Sequence, residues 1–254
     1  MAKNHFYDDP EFSYQKYWVG RLYEHQSEVI AIQKLLKNQH FESAADIGGG
    51  YGRLVPTLLK FCDQLTLVEP SLKQRQLALK ITIPSDKNLK FKIFEGTSEN
   101  TTLPDSSLDL AIVIRVLHHL PNPAPALQEL RRILKPQGVL ILEFANSISL
   151  KSRLKSLISG KPILLSSVEK RRPANIRRGT IPFVNHHPHT IKKLLYQNGF
   201  VIDKILSVSN FRVPFLKKFL PLKLLLILES LCQQLFSYGY IGPSIFILAR
   251  LDNK

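Results

Sequence analysis

Short apolar runs alternate with longer mixed segments through the middle of the chain. Val29, Ile30, Ile32, Leu35 and Leu36 recur at near-helical spacing and predict a helix closing the first 40 residues. Residues 43–47, 64–68, 89–95, 108–115 and 138–144 then read as strands, and residues 53–61, 72–79 and 124–134 as helices. Such alternation predicts an α/β fold with a mostly parallel sheet, doubly wound by helices on both faces. After Asn146 the rhythm breaks. Residues 189–198 read as a helix stopped by Gly199. Residues 201–207 and 244–250 read as two late strands that add an antiparallel edge. Residues 211–236 are apolar and read as helical. The divisions expected are a helical lead (1–40), a core (41–146), a basic cap insertion (147–187) and a C-terminal part (188–254) that carries a second, apolar cap insertion (211–240).

The core carries a glycine pattern that changes this outline into a site. Asp46-Ile-Gly48-Gly-Gly50-Tyr-Gly52 follows directly on a short apolar strand. Glycines at alternate positions let a turn pass close to a ligand, and nucleotide-type ligands bind at the carboxyl ends of strands in such sheets. The dinucleotide fingerprint requires glycine where Arg53 stands, and the Gly-Lys-Ser/Thr of a phosphate loop is absent. Glu69 ends the second strand and is placed to accept both hydroxyls of a ribose.

The segments AADIGGGYGRL, LTLVEPS, EGTSENTTLPDSSLDLAIVIRVLHHL and LKPQGVLILEFAN, in unbroken order over about residues 40–146, resemble the successive motifs of class I S-adenosylmethionine-dependent methyltransferases. The type 11 branch, which includes ubiquinone and menaquinone methyltransferases, is the nearest in pattern. The resemblance implies a Rossmann-like, seven-stranded fold, S-adenosylmethionine as cofactor and methyl transfer as the activity. It implies that Asp46, Gly48 and Gly50 hold the methionine end, Glu69 binds the ribose and Pro70 lies by the adenine. Thr97 stands where many relatives carry an acid, so the adenine contact falls to Thr97 and the Ser98 backbone. Arg115 is expected to face the methionine portion. The run YWVGRLYEHQSE resembles a leading helix that closes over the cofactor, which makes Tyr17, Arg21 and Tyr23 candidates; ordinary helix packing is the alternative.

His118 and His119 follow the fourth strand, where a histidine serves as a general base or holds the turn; the structural role is the first reading. His186, His187 and His189 have no carboxylate or cysteine cluster beside them, so no metal is expected and the run reads as a loop entering a helix.

Charge narrows the acceptor. Residues 147–254 hold 18 Lys/Arg against 4 Asp/Glu, whereas residues 1–146 hold 17 against 16. The excess is either a solvated face or a field for anionic partners. The Asn/Asp-Pro-Pro-aromatic motif of amino-methylating nucleic-acid enzymes is absent, since Arg115-Val-Leu-His118 occupies its place, and neither cysteine follows a proline. A small-molecule acceptor, anionic or lipid-like, is therefore expected ahead of nucleic acid. RNA or protein methylation and a non-catalytic cofactor-binding role are the alternatives. Cys62 and Cys232 show no pairing pattern and the start lacks an apolar leader, which points to the cytoplasm. Lys223 and Glu229 interrupt the apolar stretch, so it is too short to span a bilayer. A helix in the interface of an anionic membrane, a lid over a greasy substrate and a buried helix remain as readings.

Overall fold

Strand β1 (Phe41–Ile47) buries its last four residues and lies in the interior of the sheet. The computed structural model in which it is seen describes residues 6–9, 11–82, 90–160, 162 and 166–252; Leu89 and Lys161, named above within a strand and the basic segment, lie outside them. On one side of β1 run β2 (Cys62–Val68) and β3 (Lys90–Phe94), and on the other β4 (Leu108–Val113) and β5 (Leu134–Ala145), all parallel. A two-stranded ribbon, β6 (Val168–Glu169) with β7 (Val184–Asn185), forms a second small sheet, joined just past the end of β5 by a parallel bridge between Asn146 and His186. The chain then adds β8 (Phe200–Val208) and β9 (Ser244–Leu251), both pairings antiparallel, to give the order β3-β2-β1-β4-β5-β9-β8. The antiparallel edge expected from the sequence is present, with β9 inside and β8 outermost.

Adjacent residues along each strand face opposite layers, as a pleated sheet requires. Ala44, Leu110 and Ile141 join one apolar layer, which packs against α2 (Leu22–Leu35) through Ala31, Ile32 and Leu35. Ala45, Ala111 and Leu140 join the other, which packs against α5 (Ala124–Ile133) and α8 (Pro188–Gln197). A sheet buried on both faces explains why its strands read as near-continuous apolar runs. Chain order reverses at β1 and β4, and the crevice beyond their carboxyl ends is where ligands bind in such folds.

Three expectations change in detail. The helix expected over 53–61 shrinks to Val55–Leu58, because β2 begins at Cys62 and leaves no room for further turns. Strand β5 extends back to Leu134, which pairs with Leu108 ahead of a bulge. The stretch 211–236 forms two helices, Pro214–Phe219 and Leu222–Leu235. Pro221 has no N–H to donate and drives Leu220 to an extended ψ of 137°, which ends the first helix.

Candidate functional site

The glycine turn fixes the floor of the site. Gly48 has φ +72°, and a Cβ there would lie 2.4 Å from a methyl of Val116. Gly50 has φ +58°, and its missing Cβ leaves room for the ring of Tyr14. The turn is tied to the next strand by the buried Glu69, whose carboxylate accepts the Gly50 N–H and the Ser71 N–H, each at 2.9 Å. Burial pushes the Glu69 carboxyl up to about 7. Arg75 donates to the carbonyls of Glu69 and Pro70 and so holds the tip of β2 in place.

These residues wall a cavity of about 220 Å³, joined by Thr97, Ser98, Arg115, Val116 and His119. Gly48, Gly50, Glu69, Pro70, Thr97, Ser98, Arg115 and His119 are thus brought together on one cavity. Glu99 also reaches the wall and supplies a carboxylate near the position where Thr97 replaces the acid of many relatives. Asp46 does not reach it. Its side chain is buried beneath Gly49, where Oδ2 has no hydrogen-bond partner among the described residues and burial pushes the carboxyl up to about 7.

The N-terminal candidates are corrected by geometry. Tyr23 is buried away from the cavity; its hydroxyl donates to Glu229 at 2.6 Å and accepts from the Phe211 N–H. Arg21 stacks on the ring of Tyr17 at 4.1 Å and faces a separate groove with Glu24 and Arg212. The tyrosines on the cavity are Tyr7 and Tyr14, which precede the expected Tyr17, Arg21 and Tyr23 in the chain. The density of aromatics in FYDDPEFSYQKYW was the signal for them.

Arg115 lines the cavity but is not free to swing. It takes φ +64°, its N–H donates to Glu143 at 2.9 Å, and its Nε donates to the wholly buried Glu28 at 2.6 Å. Arg53 donates to the other oxygen of Glu28 at 2.5 Å, and the Trp18 indole lies under both guanidinium groups. The two arginines hold the Glu28 carboxyl below its usual range despite burial, which acts the other way. Glu28 and Trp18 could not be found from the sequence, because their partners lie far away along the chain.

A second cavity, of about 330 Å³, adjoins the first and shares Tyr7, Tyr14, Arg115 and His119 with it. It adds Phe12, Tyr17, Phe183 and His118, with Glu143, Asn185, Ser209, Arg212 and Ser244 as polar wall. The buried Ser209 Oγ and Asn185 Oδ1 have no partner among the described residues. His119 stands where the cavities meet. Its Nδ1 lies 2.9 Å from the Pro182 carbonyl, so Nδ1–H donates there and Nε2 accepts from the Tyr7 hydroxyl at 2.7 Å. His118 packs on His119 at 3.9 Å between ring centres, and burial with that neighbour holds it well below its ordinary value, hence neutral.

His186 is buried and engages the Leu117 carbonyl at 2.9 Å and the Ser167 hydroxyl at 3.0 Å. His187 caps α8 by accepting from the His189 N–H. Among the described residues no group of three or more side chains is arranged to hold a metal ion.

Comparison with known proteins places this geometry. Residues 45–142 match the family model described as a methyltransferase domain, type 11. An uncharacterised 37.1 kDa protein in transposon TN4556 of Streptomyces fradiae is 32% identical over 101 residues, a match that takes in 40% of this chain and 29% of that protein. The fold resembles an S-adenosylmethionine-dependent methyltransferase from Thermotoga maritima, at TM-score 0.62 and 21% identity over 98% of this chain and 99% of that one. It also resembles a methyltransferase from Methanosarcina mazei, at TM-score 0.58 and 19% identity over 88% and 98% of the two chains. The buried carboxylate of Glu69 and the glycine turn without room for Cβ atoms lie within residues 45–142, the segment that matches the methyltransferase-domain model, and the fold around them is similar to that of solved S-adenosylmethionine-dependent methyltransferases.

Proposed function

We propose that the protein transfers a methyl group from S-adenosylmethionine to a small molecule with an apolar or aromatic body and an anionic or polar end. The observation that carries this reading is the pairing of two cavities across Tyr7 and His119. When bound, the cofactor supplies an electrophilic sulfonium methyl group. Glu69 holds the ribose, Gly48 and Gly50 admit the methionine end, and Pro70, Thr97 and Ser98 border the adenine. Asp46 acts from beneath the loop and not from the wall.

The second cavity suits the acceptor. Phe12, Tyr17 and Phe183 clasp its apolar part, and Arg212, Ser209 and Asn185 meet its polar end. The aromatic walls exclude water, and holding the reactants in line supplies up to about 7–11 kcal/mol of barrier reduction. His119 positions Tyr7 and is itself fixed by Pro182. His118, on the acceptor side, is placed to take a proton from an acceptor hydroxyl or amine; the burial that keeps it neutral also weakens it as a base.

A labelled-methyl screen across small-molecule, lipid and RNA fractions tests the proposal. Label in the first or second, insensitive to nuclease, is the expected result. Label confined to RNA replaces the acceptor class, and cofactor binding without label in any fraction removes the small-molecule reading.

A further inference from the structure

The helix Leu222–Leu235, here α10, wears its amphipathicity inside out. Its outward stripe is Leu224, Ile227, Leu231 and Leu235, between 42% and 72% exposed, whereas Glu229 and Gln233 are wholly buried. A surface helix ordinarily does the reverse. The inward polarity has a cause. Glu229 accepts from the Tyr23 hydroxyl and from the backbone N–H groups of Ser209 and Asn210, and so pins α10 to α2 and to the loop after β8. Among the described residues nothing covers the outward stripe.

The stripe does not stand alone. Phe215 and Phe219 on the preceding helix are 66% and 61% exposed. Past the end of α10, the turn at Gly239–Ile241 is tied to the helix Leu150–Ser159 by Arg153 donating to Gly239 and by the Leu150 N–H donating to Ile241. That helix exposes Leu150, Leu154, Leu157 and Ile158, the last two at 79% and 86%. Among these three helices Glu229 is the only acid, and it is buried, while Lys151, Lys155, Lys218 and Lys223 lie on their exposed positions.

We propose that this surface docks on an anionic lipid bilayer, with the α10 stripe in the headgroup–acyl boundary and the lysines on acidic headgroups. Exposed apolar side chains on this scale mark a contact, and lysines without acids select a negatively charged, apolar-cored surface. No helix among the described residues is long and apolar enough to cross a membrane, so the association is in-plane and reversible. Ser209 and Arg212, which wall the second cavity, lie just ahead of the lipid-facing helices, so docking sets that cavity beside the membrane.

Sedimentation with phosphatidylglycerol-containing vesicles and with pure phosphatidylcholine vesicles, at low and high salt, tests the inference without reference to activity. The protein is expected to pellet with the anionic vesicles at low salt and to be released at high salt. Lys218→Gln and Lys223→Gln should each weaken binding about fivefold. Leu231→Asp with Leu235→Asp should abolish it while the circular-dichroism melt stays unchanged. Protein left in the supernatant with anionic vesicles at low salt overturns the proposal. So does a concentration-dependent dimer, seen by light scattering and lost in the Asp pair, which would show that a second copy covers the stripe.

Discussion

Glu69 accepts the backbone N–H of Gly50 at 2.9 Å, so the carboxylate at the tip of β2 and the glycine turn after β1 form one rigid unit. That carboxyl is poised near neutrality, pushed up to about 7 by burial. A ribose hydroxyl donates best to the ionised form, and protonation removes that form as pH falls. Affinity for S-adenosylhomocysteine should therefore be full above about pH 7 and decline below it, by at most about tenfold per unit for one proton. Glu69→Gln should flatten this profile and weaken binding at alkaline pH by about 1–3 kcal/mol. Calorimetric titration across pH checks both; a flat wild-type profile removes Glu69 from the ribose.

Glu28 is the anchor of Arg53 and Arg115, with its side chain wholly buried and theirs 11% and 18% exposed. Removing one partner of a buried pair leaves uncompensated charge. Glu28→Ala should lower unfolding stability by about 3–5 kcal/mol in denaturant titration. A loss below about 1 kcal/mol would mean that water already screens the cluster.

Tyr23 serves the scaffold. Tyr23→Phe removes a hydrogen bond to the buried Glu229 carboxylate and should lower stability by about 1.5–3 kcal/mol with cofactor affinity unchanged. A drop in cofactor affinity without a drop in stability would return Tyr23 to the site.

His118 and His119 should separate in kinetics. His118→Gln should lower turnover by about 10²–10⁴-fold with cofactor affinity intact, as loss of a general base does. His119→Gln removes the acceptor of the Tyr7 hydroxyl, so its effect and that of Tyr7→Phe should fail to add in a double-mutant cycle. Equal, few-fold losses for both histidines would leave them a structural role alone.

The parallel core was legible because its signals are local. The strand β1, the glycines after it and Glu69 lie within one run of chain, and a sheet buried on both faces writes itself as apolar blocks. The Glu28 cluster was not, since it needs residues 28, 53 and 115 to converge from three elements. The sequence left Tyr23 open between cofactor and packing, because an aromatic on a leading helix looks alike whether it faces a ligand or Glu229. The apolar stretch 211–236 showed its composition but not its orientation. That depends on donors from Tyr23, Ser209 and Asn210, which draw Glu229 inward and turn the leucines out.

The central claim, that the glycine turn and Glu69 cradle S-adenosylmethionine, is tested most directly by titrating the cofactor into wild-type and Gly48→Val proteins. A valine at Gly48 would force a branched side chain into φ +72° and against Val116. Saturable one-to-one binding by the wild type, lost in a variant whose circular dichroism still shows the fold, is the predicted result. No binding by the folded wild type, or equal binding by both proteins, would contradict it.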